Sequence, residues 1–483
     1  MKKSRYNRII AFVFFGILLV LLIISHTRGF IAHDEGLMVN PAFRMINGEI
    51  PYKDFQFYYF PGALIVYSAI LSVWESLFAL RLGAVVFSLI GAVLVYKITY
   101  NIAKTRSLSY LLTILFLLFG SFTINFLSPT MLAIPPALAG LYFLTQKPQT
   151  RRTIFSAGIA AGLTLFFKQN FALAIFITTF AVIFLGDKKQ RVNFSKNFLL
   201  GVLAIWLPVI FYLTAIGAFG FFLDGIIYFV YEKTIKMGLQ VTPFIQPDTI
   251  PRQILKTIFY TLPAIVSIVA IFLSFIHKKE YLPYGIFSLF FYIFGIRPTT
   301  DYIHLAPLFA IMVIPFAAIY SITKSSFIKT LVIITIMLLI LLGTFTVITK
   351  HYYRWDRPLP KHNMFFNEPK INLFLHADAI GSVTEFKKIT TENKTTNNYM
   401  FLYDFMPMYY FLTDTRNPTR FDFIPPLSIA EETEIIEDLR SSQTQIIVTY
   451  SDLAGDNSEI GKFIKKNFDL KKYPRFFVWI LKN

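Results

Sequence analysis

The 483-residue chain contains no cysteine, which excludes disulfides, thiolate metal sites and thiol nucleophiles and leaves the compartment undecided. Charge is scarce as well: Asp, Glu, Lys and Arg make up 15% of the residues, and 28 acidic side chains face 46 basic ones. With 55% hydrophobic and 17% aromatic residues and a mean hydropathy of +0.57, a soluble protein of this length is excluded. The composition is that of a polytopic α-helical membrane protein. Gly-rich phosphate loops, zinc-type spacings, a Ser-His-Asp order and internal repeats are all missing, so ATP-driven transport has no motif to rest on. The net charge of +18 does not point to nucleic acid, because Lys and Arg cluster in short loops between apolar segments, where they set orientation.

Eleven apolar segments are long enough, or nearly so, to span: 9–25, 79–99, 108–127, 129–145, 154–167, 171–186, 198–217, 254–276, 282–296, 303–322 and 327–348. A twelfth, 61–74, is ambiguous. If it does not cross, Lys97/Lys104/Arg106, Lys147/Arg151/Arg152, Lys188/Lys189/Arg191/Lys196, Lys278/Lys279 and Lys324/Lys329 join the N-terminus on one side. If it crosses, the positive-inside rule fails at five successive loops. The expectation is therefore about eleven spans, with a juxtamembrane or re-entrant helix at 61–74. Lys2, Lys3, Arg5 and Arg8 precede the first apolar run without a small-x-small cleavage site after it, so that run reads as an uncleaved anchor with its N-terminus in the cytoplasm. Residues 1–349 then form the membrane domain, with a first outer loop at about 26–78. Residues 350–483 are mixed and polar, and form a small extracytoplasmic α/β domain. Its expected strands are 399–403, 445–450 and 475–481, and its expected helices 429–440 and 459–467.

This topology gathers the reactive side chains on the outer face. His33-Asp34-Glu35-Gly36 opens a helical pattern (Leu37, Met38, Ala42, Met45, Ile46) closed by Asn47-Gly48, read as an amphipathic helix lying flat beneath two adjacent carboxylates. Asp34 has two readings, an N-cap or a proton acceptor, and they are compatible. Glu35 is the weaker partner in the chemistry. A divalent metal bridging Asp34 and Glu35 stays open, although adjacent residues supply few of the oxygens a hard cation needs. Lys168 stands at the apex of two short helices, flanked by Phe166, Phe167 and Phe171, with Gln169 and Asn170 as further donors. It is either a snorkelling lysine or the partner of an anion. Arg297 repeats that logic: its planar fork suits phosphate or a pairing with Asp301. His304 begins the next span. The aromatic run Tyr52 to Phe60, with Tyr58 and Tyr59, is either an interfacial belt or a cover for a sugar or isoprene unit.

An N-in first helix, an outer loop with Asp34-Glu35-Gly36, the Gly48-x-x-Pro51-Tyr52-x-Asp54 stretch, a helix opening at Pro61 and Arg81 in the next span make up the first half of a recognisable layout. Phe167-Lys168-Gln169, Arg297 with Tyr302 and His304, and a polar C-terminal domain complete it. Together these resemble the GT-C membrane glycosyltransferases, in their bacterial protein O-mannosyltransferase-like and aminoarabinose-transferase-like branch. The resemblance implies transfer of a hexose or pentose from a polyprenyl-phosphate donor to a lipid, glycan or protein acceptor, outside the plasma membrane of a bacterium. It implies Asp34 as the catalytic carboxylate and Lys168 as a contact to the carrier phosphate, with Arg297, Tyr302 and His304 in the same neighbourhood. The chain departs from the aminoarabinose-transferase pattern at Tyr58-Tyr59-Phe60-Pro61, where that pattern has a lysine before its proline-rich helix. Two rivals remain. A transporter or flippase would need repeats and mid-span charges. A glycan polymerase would carry its essential residues in the central outer loop, here 218–252.

Overall fold

The computed structural model describes residues 2–230, 250–296, 302–349, 359–393, 397–404, 406–422 and 428–482. Helices fill the first 349 residues: α1 (Lys2–His26), α2 (Gly36–Ile46), α3 (Pro61–Val73), α4 (Leu77–Ala103), α5 (Arg106–Phe119), α6 (Pro129–Leu144), α7 (Arg151–Phe167), α8 (Gln169–Leu185), α9 (Arg191–Ala215), α10 (Phe219–Val230), α11 (Ile250–His277), α12 (Leu282–Gly295), α13 (Tyr302–Ile311), α14 (Val313–Ile322) and α15 (Ser326–Thr349). Nine of the eleven apolar segments each lie within one helix, overrunning it by at most two residues. Five described helices are long and apolar enough to cross a membrane, at Tyr6–His26, Leu77–Ala103, Lys188–Ala215, Tyr260–His277 and Ser326–Thr349. By contrast α3, with 13 residues, reaches only about 20 Å, short of a bilayer core of roughly 30 Å. It packs on α2, α4 and α7.

Two segments depart from the sequence expectation. The segment at 108–127 leaves the helix at Phe119, and residues 120–128 form a buried loop whose backbone is satisfied locally, as by Ile124 N–H on the Gly120 carbonyl. The segment at 303–322 is two helices meeting at Met312, because Pro315 cannot donate to the Ile311 carbonyl four residues back. Helices α7 and α9 cross closely: a Cβ added at Gly158 or Gly201 would strike the carbonyl of Phe198 or Phe155. That contact fixes the position of the C-terminal end of α7.

The C-terminal part contains β1 (Met364–Phe366), β2 (Leu373–Leu375), α16 (Ala377–Glu392), β3 (Phe401–Leu402), α17 (Met408–Thr413), α18 (Ile429–Ser441), β4 (Ile446–Thr449), α19 (Glu459–Asn467), β5 (Phe468–Lys472) and β6 (Phe477–Leu481). β1 and β2 form an antiparallel pair, and a four-stranded sheet runs β3-β4-β6-β5, with β3 parallel to β4 and the other neighbours antiparallel. The expected strands and helices fall on β3, β4, β6, α18 and α19. β5 escapes the reading because Phe-Asp-Leu-Lys-Lys follows α19 with no intervening turn and is exposed after its first residue.

Loop 26–78 and the C-terminal part are knitted together. Phe374 of β2 exchanges backbone hydrogen bonds with Thr27 and Gly29, and Met408 N–H donates to the Ala32 carbonyl at 3.3 Å. Gly36 lies so close that a Cβ there would sit 2.5 Å from the Met408 nitrogen. Arg44 of α2 pairs with Asp422 at 2.9 Å and Glu49 at 2.7 Å, and Asn40 donates to the same Asp422 oxygen at 2.8 Å. Helix α2 is therefore enclosed between α3 and α17. It does not lie flat on a membrane surface: its polar residues Asn40 and Arg44 are as buried as its apolar ones, because the C-terminal part supplies their partners.

Candidate active site

Arg81 organises the region around Asp34. It lies one turn into α4, entirely buried, with its Nε 2.6 Å from one oxygen of Glu35 and its Nη2 2.6 Å from the other. It also donates to the carbonyls of His26 (3.2 Å), Asn125 (2.8 Å) and Gly29 (3.4 Å), closing the end of α1 and the buried loop onto the acidic turn. Burial raises the Glu35 pKa and the Arg81 charge pulls it back. The two adjacent carboxylates thus differ sharply: both Glu35 oxygens are committed to Arg81, whereas Asp34 is half-exposed. A cation bridging the two would have to displace the guanidinium. Among the described residues no group of three or more His, Asp or Glu is placed to hold a metal ion. The N-cap position of α2 falls on Glu35, which makes no side-chain cap bond.

The aromatic run wraps the other side of Asp34. Phe55 and Phe57 are buried, and Tyr52 (φ 69°) turns its ring onto Phe57 and onto Phe222 of α10 while its hydroxyl donates to the Tyr59 carbonyl at 2.9 Å. A tyrosine in the left-handed region costs on the order of 1–3 kcal/mol, so these contacts must hold it there. The run is protein core, not an interfacial belt, with Tyr58 and Tyr59 at its half-exposed end. Tyr58 donates to the Gln56 side chain. Burial, with the nearby charge of Asp34, pushes the Tyr59 hydroxyl up to about 12.

Two residues further on, α3 begins with Pro61 in its first turn. Gly62 then seats against the end of α7, where a Cβ would lie 2.6 Å from the Phe166 carbonyl and 2.7 Å from the Phe167 ring. Lys168 follows at once, in extended conformation between α7 and α8 (φ −157°, ψ 111°). Its Nζ donates to Thr130 at 2.6 Å and lies 4.9 Å from the Phe171 ring centre. Asn170 donates to the Phe294 carbonyl at 3.1 Å, and Gln169, half-exposed, opens α8. The start of α3 thus packs on the residues that precede Lys168, while Tyr59, two residues before it, feels the charge of Asp34. Tyr302 and His304 fall in the first turn of α13, with their side chains outside the described set. Arg297, Asp301 and most of the 218–252 loop lie outside the described residues.

Sequence reasoning counted Arg81 in the layout but not as the partner of Glu35. The signal was an arginine in an otherwise apolar helix, where an ionisable side chain must find a buried partner.

No family model matches the sequence, and no curated protein matches it. Solved structures do. The aminoarabinose transferase ArnT from Cupriavidus metallidurans bound to undecaprenyl phosphate superposes with a TM-score of 0.60 at 13% identity over 97% of each chain. Its apo state gives 0.59 at 13% identity over 99% of this chain and 98% of that one. The likeness extends from α1 through the C-terminal sheet, and the chain has the fold of these ArnT structures.

Proposed function

We propose that the protein transfers a sugar from a polyprenyl-phosphate donor to an acceptor on the outer side of a bacterial plasma membrane, with its N-terminus in the cytoplasm and its C-terminal part outside. The observation that carries this reading is one half-exposed aspartate, Asp34, on a turn locked by the buried Glu35–Arg81 pair, with its charge felt by Tyr59 just before α3, whose start packs on the residues that precede Lys168. The fold adds support, since the similar ArnT was solved with undecaprenyl phosphate bound.

Transfer is a displacement at the anomeric carbon. The acceptor hydroxyl loses its proton to Asp34 as its oxygen bonds to that carbon, the bond from the carbon to the phosphate oxygen breaks, and polyprenyl phosphate leaves with the electron pair. Lys168 meets the developing phosphate charge, and Gln169, Arg297, Tyr302 and His304 are assigned as further phosphate or donor contacts by residue type. Tyr58 and Tyr59 cover the donor. Tyr59 stays protonated through the physiological range and serves as a hydrogen-bond donor. Glu35 and Arg81 are positioning residues: they touch no substrate and hold the turn that carries Asp34.

Asp34→Asn tests the reading. Asn keeps the size of the side chain and is itself a good N-cap residue, so the change is mild for the fold while removing a base worth on the order of 10²-fold or more in rate. Purified Asp34→Asn that moves label from a lipid-linked sugar pool at the wild-type rate would falsify both the base and the enzyme class.

A further inference from the structure

One side of the Asp34 turn faces the membrane helices, and the other faces the C-terminal sheet. There the parallel strands β3 and β4 end side by side, with Asp404 two residues beyond the first and Tyr450 immediately beyond the second. Open α/β sheets bind ligands outside the carboxyl ends of their parallel strands, because the chain turns there and leaves side chains unpacked. The His33 ring, immediately before Asp34, lies 6.4 Å from the Tyr450 ring. Tyr450 stacks on Phe476 at 5.6 Å and remains 41% exposed.

Asp404 is the unusual member. It is half-buried, and one carboxylate oxygen accepts the Tyr450 N–H. Among the described residues, the other oxygen has no hydrogen bond and the carboxylate has no salt bridge. Burial raises the Asp404 pKa, the Tyr450 N–H and His33 lower it, and Asp456 adds to the rise. A carboxylate withdrawn from water with one oxygen unbonded costs stability, and such groups concentrate at ligand sites. The set matches a saccharide: a carboxylate oxygen for sugar hydroxyls, a tyrosine hydroxyl that bonds Tyr409 and keeps capacity for a second partner, and an imidazole beside the catalytic turn.

We propose that Asp404, Tyr450 and His33 form the acceptor seat, in which the C-terminal domain presents a saccharide hydroxyl to Asp34 from the side opposite the lipid-linked donor. This rests on the glycosyl-transfer reading and commits the acceptor to a sugar. It also explains why the domain is pinned so tightly to the first loop: a nucleophile held on one body and a leaving group on the other need a fixed separation.

The test uses the full chain in nanodiscs and membranes from cells lacking the protein, metabolically labelled so that they supply the lipid-linked sugar pool. The delipidated envelope fraction of the same cells is titrated as acceptor. Asp404→Asn keeps a carbonyl for the Tyr450 N–H, and Tyr450→Phe keeps the stack on Phe476. Asp404→Asn should raise the acceptor concentration at half-maximal transfer about tenfold or more, and Tyr450→Phe several-fold. Both should bind undecaprenyl phosphate within about twofold of wild type. Periodate treatment of the envelope fraction, which cleaves vicinal diols, should abolish its capacity to accept. Unchanged acceptor dependence in both variants overturns the seat, and so does a parallel loss of undecaprenyl phosphate binding. An acceptor fraction indifferent to periodate overturns the sugar assignment. If the wild-type protein moves no label at all, the glycosyl-transfer reading itself fails and takes the seat with it.

Discussion

Removing Arg81 should damage the protein more than neutralising its partner. In Arg81→Met the Glu35 carboxylate stays buried with no cation, a change that costs on the order of 3–5 kcal/mol when one member of a buried pair is deleted. Three carbonyls, of His26, Asn125 and Gly29, also lose a donor. Glu35→Gln is gentler. The amide still accepts one guanidinium N–H, and Arg81 keeps its three carbonyls, so the loss should be about 1–3 kcal/mol. The double variant Glu35→Leu/Arg81→Met removes both charges and should recover part of the loss, with a coupling of about 0.5–3 kcal/mol between the sites. A membrane protein of this size unfolds irreversibly, so the quantity to measure is the heating midpoint of the monodisperse fraction in detergent at one fixed scan rate. The expected order of stability is wild type, Glu35→Gln, double variant, Arg81→Met. Strict additivity, or a Glu35→Gln midpoint below that of Arg81→Met, would refute the pair as the latch of the Asp34 turn.

The remaining expectations concern neighbouring contacts. Lys168→Ala should cut use of the lipid donor about tenfold to a hundredfold and leave the heating midpoint near wild type; normal donor use would reduce Lys168 to a lysine that only bonds Thr130. Arg44→Met strands Asp422, 3% exposed, and should open the junction between α2 and the C-terminal part to limited proteolysis, whereas Asp422→Asn, which keeps an oxygen for Asn40 and Asn417, should be milder. Gly62→Leu should push α3 off α7 and depress transfer in vesicles, because its Cβ falls against the Phe166 carbonyl; wild-type transfer would mean that α3 need not seat there. A phosphatase fused after Lys350 should be active and one fused near Lys189 inactive, and the reverse pattern would place Asp34 on the wrong side of the membrane.

What could be read ahead of the structure was local. Helix α2 was legible to the residue, since Asn47-Gly48 terminates it and its apolar spacing starts at Leu37. The strands at 446–449 and 477–481 announced themselves by β-branched and aromatic runs between polar turns. The Lys168 break shows because the largely apolar stretch Thr153–Leu185 is too long for one span of roughly 20 residues. Contacts set by distant residues did not show. Nothing near Arg44 signals that its partner is Asp422, 378 positions away, and α2 was read as half-exposed for want of that partner. The aromatic run looked like a membrane belt because its rings find Phe222 and Trp206 only in three dimensions.

The acidic pair shows where residue type stops being informative. Asp34 and Glu35 have the same chemistry and sit on the same turn, and a sequence reader can rank them only by what else each type does, such as capping. The fold separates them through a third residue, 46 positions downstream of Glu35. A fully buried arginine must be paired, and its fork takes two parallel contacts from whichever carboxylate points inward. Successive residues at the start of a helix project about 100° apart, so only one of two neighbours can point at Arg81. The inward one is committed to Arg81, and the outward one stays half-exposed. The buried charge in α4 thereby decides which carboxylate turns inward, and the same pairing accounts for an arginine standing in an apolar helix.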